Sequence, residues 1–315
     1  MRYLSIVGCM GVLVVVLLAA HVLPGNRTVA GTAVSGVFEG TSPGVTHARA
    51  FLKIPLTDKC DFIKWKLTLL QDDKTKSPAT FRLEQEYGFY VDNRTDKTLG
   101  QAVIEGRWEI TKGIPSKPDA VVYRLYSGPH SIYFVQLDHN LLHFLDADKN
   151  PAVGNGGQSF TLSRTGKIIP PMSIYQTLQT SASLTSGIKD SVLVYEGRTP
   201  CTAIARELNL PANPECFKLK WLLTLYQDPQ TGKPVRYTLK RIFHQQNIIE
   251  GTWTVIKGTA ADPQTLVYLL DPGKPGYTLY LQKGDDNVLF FLDAKRDLLV
   301  GNELFSYTLN RRKLK

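Results

Sequence analysis

Hydrophobic and polar positions alternate along much of this chain. Over residues 217–226, Leu219, Trp221, Leu223 and Leu225 point one way from an extended backbone, and Lys218, Lys220 and Thr224 point the other. A period of two marks a strand with one buried face. Further short alternating runs follow at 236–243, 250–256, 265–270, 277–282, 288–293 and 305–310, and one precedes at 194–197. Turn-forming residues separate them, around Asp228 to Gly232, Asp271 to Gly273 and Gly284 to Asn287. About eight sequential strands of this kind predict an antiparallel meander that closes into a small barrel, because closure removes exposed edges. The helical candidate is 202–208, placed to plug one barrel mouth.

The same unit is written twice. Val37, Phe38, Glu39 and Gly40 recur as Val194, Tyr195, Glu196 and Gly197. Cys60 and Trp65 with the following Gln71 and Asp72 recur as Cys216, Trp221, Gln227 and Asp228. Gly106 and Trp108 match Gly251 and Trp253; Phe144 to Ala147 match Phe291 to Ala294; Val153, Gly154 and Asn155 match Val300, Gly301 and Asn302. Phe160, Thr161 and Leu162 match Tyr307, Thr308 and Leu309. The order is kept throughout, the sequence signature of a tandem repeat. The expected fold is all-β: two tandem small antiparallel barrels of about eight strands, at 36–165 and 193–311. Each carries one short helix, at 46–52 in the first copy. Residues 166–192, rich in Ser and Thr with Pro170 and Pro171, read as a linker.

Residues 1–25 read differently. Arg2 precedes an uncharged apolar run from 3 to 23, and Pro24, Gly25 and Asn26 break it. A basic start, an apolar core and a breaker make an export signal. The run exceeds the ~7–15 apolar residues of a cleaved signal and approaches the ~20 of a spanning helix. It fits either a cleaved signal or a retained membrane anchor. Cys9 sits before most of the apolar run, which is the wrong order for a lipidation site.

On the second copy in particular, the unit resembles the N-terminal lipocalin-like domain of the copper resistance lipoprotein NlpE family. The resemblance rests on Glu196, Gly197, Pro200 and Cys201, then on Cys216, Trp221, Thr224 and Leu225. Gly251, Trp253, Leu292, Asp293 and the closing Tyr307, Thr308 and Leu309 complete it. It covers both copies. It implies an exported, non-enzymatic small-barrel protein of a bacterial envelope, periplasmic or anchored facing the periplasm, with an interaction or stress-sensing role. The spaced pair Cys201 and Cys216 replaces that family's close cysteine pair, so copper binding does not carry over.

The formal net charge is +9. Much of the excess lies at the end of the chain, in Arg311 and in the basic tail 312–315. The other basic residues are scattered singly along strands, which gives no nucleic-acid footprint. Cysteines of an exported chain tend to pair. Cys201 and Cys216 are the pair that can close locally. Copy one has Gly44 at the position of Cys201, which leaves Cys60 as a free thiol. His139 and His143, four apart on a strand, lie ~13 Å apart and do not easily share a metal ion, so they are read as part of a half-exposed hairpin. Asp146 and Asp293 have no catalytic partner in the pattern and read as caps of their own turns. The four tryptophans, Trp65, Trp108, Trp221 and Trp253, fall at matched places as core or cavity-lining rings, core being favoured because ~eight strands enclose little space. No catalytic set, metal site or cofactor is expected. The function read from the sequence is binding: to an unknown envelope protein or, alternatively, to a small apolar ligand carried inside a barrel.

Overall fold

Each alternating run forms a strand, and each set of eight strands closes on itself. The computed structural model describes residues 31–45, 47–92, 96–170, 191–207, 215–243, 245–259, 261–274 and 278–312. The export segment 1–25, most of the linker 166–192 and Lys313 to Lys315 of the tail lie outside the described residues. Among the described residues, no helix is long and apolar enough to cross a membrane.

The first barrel runs β1 (Thr32–Pro43), β2 (Phe62–Asp72), β3 (Pro78–Tyr90), β4 (Asp96–Ile114), β5 (Lys117–Ser127), β6 (His130–Gln136), β7 (Leu141–Phe144) and β8 (Thr161–Arg164). All neighbours are antiparallel, and β8 returns to β1 through Phe38 opposite Arg164. The second runs β9 (Val192–Thr199), a helix α1 (Thr202–Glu207), β10 (Leu219–Gln227), β11 (Pro234–Phe243), β12 (Gln245–Lys257), β13 (Leu266–Asp271), β14 (Leu279–Lys283), β15 (Val288–Leu292) and β16 (Thr308–Arg311). Here β16 closes on β9 through Asn310 opposite Glu196. β1 begins four residues before the expected boundary, its register shifting between Val34 and Gly36.

Inward positions fill the barrels. In β10, Leu219, Trp221, Leu223 and Leu225 are all buried, as the alternation requires. The tryptophans belong to this filling, with exposures of 3% (Trp65), 5% (Trp108), 3% (Trp221) and 1% (Trp253). A buried indole N–H needs an acceptor, and the two copies supply the same ones. Trp65 Nε1 donates to Ser42 Oγ at 2.8 Å, and Trp221 Nε1 to Thr199 Oγ1 at 2.8 Å. Trp108 Nε1 donates to the Leu70 carbonyl at 2.6 Å, and Trp253 Nε1 to that of Tyr226 at 3.0 Å. Ring packing repeats too: Trp65 against Phe144 and Trp221 against Phe291, Trp108 against Tyr123 and Trp253 against Tyr268. Gly106 and Gly251, two residues before a tryptophan, let β5 and the end of β13 pass close. A Cβ there would collide with the carbonyl of Tyr126 or of Asp271.

The turns repeat with the same chemistry. Asp72 Oδ1 accepts from the amides of Lys74 and Thr75, and Asp228 Oδ1 from those of Gln230 and Thr231. Asp146 Oδ1 accepts from the amides of Asp148 and Asn150, and Asp293 Oδ1 from those of Lys295 and Asp297. Both aspartates therefore cap their own turns.

The mouth plugs differ from the expectation of one helix per barrel. α1 is the one helix among the described residues; it places Ile204 in the core of barrel two. Residues 47–53 of barrel one form turns instead. They make one i→i−4 bond, from Leu52 N to the Ala48 carbonyl at 2.9 Å, before Lys53 takes a left-handed φ of 56° and Pro55 ends the turn. Left-handed backbone and proline both stop helix propagation. The stretch still plugs its barrel, through Ala48, Phe51, Leu52 and Ile54. At the same end of barrel two, Cys201 and Cys216 form a disulfide across a Cα separation of 5.9 Å. Cys60 is free and half-buried. Gly44, facing it, lets the chain come closer than a second cysteine would: a Cβ there meets the Cys60 carbonyl.

Two outcomes follow for barrel two. The disulfide closes a loop with a sequence separation of 15, worth ~3 kcal/mol in the chain-entropy model. An unreduced tryptic digest should contain 199–206 linked to 207–218, and a Cys60 peptide joined to either one is the result that contradicts this pairing. Trp221→Ala should cost ~3–5 kcal/mol, as for a large core aromatic. Urea unfolding monitored by far-UV circular dichroism measures it, and a change below ~1 kcal/mol is inconsistent with the packing around Phe291.

Candidate functional site: the seam between the barrels

A barrel wall that faces water shows alternating burial. The closing strands do not. All four residues of β7 and all five of β15 are buried, as are the first three of β8 and of β16. Leu142, Phe144 and Leu162 face the interior of barrel one; Leu289, Phe291 and Leu309 face that of barrel two. The remaining positions, among them His143, Thr161, Phe290, Thr308 and Asn310, point outward and are buried because the two walls cover each other.

The contacts obey the repeat. Gly154 N donates to Asn310 Oδ1 at 2.7 Å, and its counterpart Gly301 N donates to Ser163 Oγ at 3.0 Å. Thr161 Oγ1 and its counterpart Thr308 Oγ1 are 2.9 Å apart. His143 meets its counterpart Phe290 edge to face, centroids 5.3 Å apart. Lys117, the first residue of β5, forms an ion pair with Asp262, which stands at the matching place of barrel two. Residues meeting their own counterparts define a pseudo-two-fold axis, the geometry of a symmetric dimer inside one chain. Of these, sequence reasoning singled out His143 alone, and as a hairpin residue, although Gly154, Gly301, Thr161 and Thr308 were among the repeat matches. The signal available was the unbroken apolar run 288–292, which suits a strand buried on both faces.

A directional hydrogen-bond chain crosses the axis. His143 Nε2 is 3.0 Å from the Ala152 carbonyl, an obligate acceptor, so Nε2 carries the proton. Nδ1 then accepts from Thr161 Oγ1 at 2.9 Å. Thr161 in turn accepts from Thr308, which accepts from Ser306 Oγ at 3.0 Å. The half-exposed hairpin expected at His139 and His143 is therefore corrected for His143. Its exposure is 0%, because barrel two covers the outside of β7, a neighbour that strand periodicity does not reveal. Both its ring nitrogens are engaged. Burial pushes its pKa down to about 4, against a smaller opposing effect of the Ala152 carbonyl.

Beside the line of contact the two walls diverge and leave a cleft of about 360 Å³ lined by both barrels. Ile114, Val121, Val135, Leu137, Phe290 and Leu298 give it apolar walls. Asp138 and Asp297 face it from opposite barrels, with Lys117, Asp262, Lys283 and Arg296 around it. Burial raises the pKa of Asp138, opposed by the backbone amides of Asn140 and Leu141. Burial also raises that of Asp297, with Asp293 adding to it and Asp138 contributing from across the cleft. None of the tryptophans and neither disulfide cysteine lines this space. Among the described residues no group of three or more His, Cys, Asp or Glu is arranged to hold a metal ion.

The buried imidazole makes stability depend on pH. His143 titrates at about 4 when folded and near 6.5 when unfolded. The unfolded chain thus binds the extra proton first on acidification. The stabilising contribution is complete above pH ~6.5 and is lost as pH falls toward 4, about 2 kcal/mol between pH 7 and 4.5. His143→Phe, which copies Phe290, should flatten the fall by that amount in urea titrations at the two pH values. An unchanged fall means that other groups carry the acid sensitivity. Comparison with protein-family models finds no match, and comparison with curated proteins and with solved structures finds none either.

Proposed function

We propose that this chain is an exported, non-catalytic protein of a bacterial cell envelope that acts by binding, and that it binds on the paired-barrel surface at the seam. The observation that carries this reading is the filling of both barrels: each interior is occupied by its own tryptophans, other aromatic rings and leucines, and one end of each by its own plug. That filling weighs against the alternative of an apolar ligand carried in a barrel, since a carrier needs an empty apolar interior. Export is supported by the apolar segment 3–23 and by the Cys201–Cys216 disulfide, a bond that persists in oxidising compartments. The resemblance to the NlpE family supports an envelope interaction or stress-sensing role. Absence of catalysis is supported by Asp146 and Asp293, whose carboxylates are spent on turn amides.

The test is fractionation of a diderm bacterium producing the tagged full chain, followed by native mass spectrometry. The chain should appear in the periplasm if the segment is cleaved, or in the membrane fraction facing the periplasm if it is retained. Cys201 and Cys216 should be oxidised, and the native mass should be that of the polypeptide alone. Retention in the cytoplasm with reduced cysteines overturns export. A co-purified apolar molecule protected inside one barrel overturns the seam reading in favour of the carrier.

A further inference from the structure

We infer that the outer wall of barrel two, along β9, β10 and β11, is a docking surface for an anionic membrane, with Phe217 and Phe305 at its plug end entering the headgroup layer. The inference rests on the reading that the chain acts by binding at its paired-barrel surface, and it names the partner.

Charge, compared between the copies, is the first argument. β1, β2 and β3 carry three cations, and each has carboxylate partners: Lys64 has Glu86 and Asp96, Lys66 has Glu39, and Arg82 has Glu84 and Glu105. On the matching β9, β10 and β11 the one carboxylate is Glu196, and Arg312 reaches it at 3.9 Å. Lys240 stands opposite Leu222 where Glu84 stands opposite Lys66, and Ile242 stands opposite Lys220 where Glu86 stands opposite Lys64. Arg198 is directly opposite Lys220, where barrel one has Thr41 opposite Lys64. Like charges directly opposite each other cost stability. Lys218 continues the outward row of Lys220; burial lowers its pKa, and Arg198 and Lys220 lower it further. Among the described residues, Arg198, Lys218, Lys220 and Lys240 take part in no ion pair. Across the seam, Arg198 lies within electrostatic reach of Tyr90, as do Asp61 and Asp96, but those carboxylates are already held by Lys59 and Lys64.

The second is an exposed aromatic pair among these cations. Phe217 follows Cys216 where barrel one has Asp61 after Cys60, and 59% of it is exposed. Its ring meets that of Phe305 edge to face, centroids 5.4 Å apart, and Lys218 Nζ lies 5.6 Å from the centre of each ring. Phe305 belongs to the loop that docks on barrel one, where Thr41 Oγ1 donates to the Glu303 carbonyl at 2.7 Å. The pair therefore stands at the edge of the seam. Exposed rings beneath an ammonium group suit a membrane interface, with the rings at the acyl boundary and the ammonium at the level of the phosphates.

The third argument is shape. β10 pairs with β9 over Leu219 to Tyr226 and with β11 over Lys220 to Gln227. It has no free edge to which a peptide strand could add, and the outward curve of a barrel wall is not a groove for a helix. A bilayer surface needs neither edge nor groove, and it attracts cations spread over several strands.

The test mixes the full-length protein with vesicles of phosphatidylcholine, with and without phosphatidylglycerol, and measures bound protein by co-sedimentation. Neutral vesicles report what the apolar segment 3–23 does by itself, and the gain from phosphatidylglycerol reports the charges. Each basic residue at an anionic surface contributes ~1 kcal/mol, about fivefold. The gain should therefore be about a hundredfold or more, and it should vanish as salt rises from ~0.1 to ~1 M and the Debye length falls from ~10 to ~3 Å. Lys218→Gln combined with Lys220→Gln should lower the gain about twentyfold, while Lys218→Arg combined with Lys220→Arg should keep it. Arg107→Gln combined with Lys112→Gln, the same charge change at exposed positions of barrel one, should leave it unchanged. Phe217→Trp adds an exposed indole to four buried ones, and its emission should shift to the blue on phosphatidylglycerol vesicles. No gain from phosphatidylglycerol overturns the proposal. An equal loss in the barrel-one variant, or an emission that does not move, overturns the wall as the docking surface. Binding of soluble polyglutamate without binding of vesicles assigns the wall to an acidic protein and overturns the membrane as partner. None of these results bears on export, on cysteine oxidation or on the native mass, which test the wider reading separately.

Discussion

Two convex barrel walls touch along a line, and here that line is apolar on both sides. β7 and β15 carry buried residues on their outer as well as their inner faces, and water cannot be left against such a surface at ~25 cal/mol per Å². Each outer face is covered by the other copy. The rest of the arrangement follows from that cover. The copies are related by a pseudo-two-fold axis, Thr161 meets Thr308 upon it, and the glycine amides of Gly154 and Gly301 reach symmetrically for Asn310 and Ser163. The cleft follows as well, because curved walls must separate again beside their line of contact.

A two-fold axis constrains what can sit near it. Each residue there meets its own counterpart, so a charge conserved in both copies would face itself. The copies differ where this matters. Lys117 faces Asp262, and His143 faces Phe290. Away from the axis, where the barrels are built, the copies agree down to individual hydrogen bonds, from the indole acceptors to the turn aspartates. The copies also differ at the plugs, where Gly44 stands against Cys201 and a run of turns against α1, and in strand length, β4 having 19 residues and β12 13. The exchange of Asn150 for Asp297 adds a carboxylate to the lining of the cleft.

The buried polar chain from Ser306 through Thr308 and Thr161 to His143 adds direction to an otherwise apolar contact. Every member has a partner, which is the condition under which a buried network supports one arrangement over others. A second proton on His143 would require Thr161 to turn its hydroxyl and the rest of the chain to reverse. Protonation of His143 therefore acts on the seam and not on the barrel interiors, which are filled by indoles, other aromatic rings and leucines.

The barrels were legible from the chain because the information for them is local. A period of two assigns the face of Leu219, Trp221, Leu223 and Leu225 whatever surrounds the strand, and a repeated motif assigns the boundaries twice over. The turn aspartates and the Cys201–Cys216 bond were legible for the same reason, since their partners lie a few residues away or at the two ends of one loop. The helix expected at 46–52 is reduced to a single turn, one bond from Leu52 to the Ala48 carbonyl followed by the left-handed Lys53, and propensity does not tell one turn from two. The seam was not legible. Whether His143 is a hairpin residue or the centre of a buried network depends on what lies outside β7, and Lys117 and Asp262 become partners only through the docking of complete barrels. Alternation along a strand tells inside from outside of one barrel; only the tertiary structure decides which outside is covered, because that is a property of two surfaces and not of either sequence segment alone.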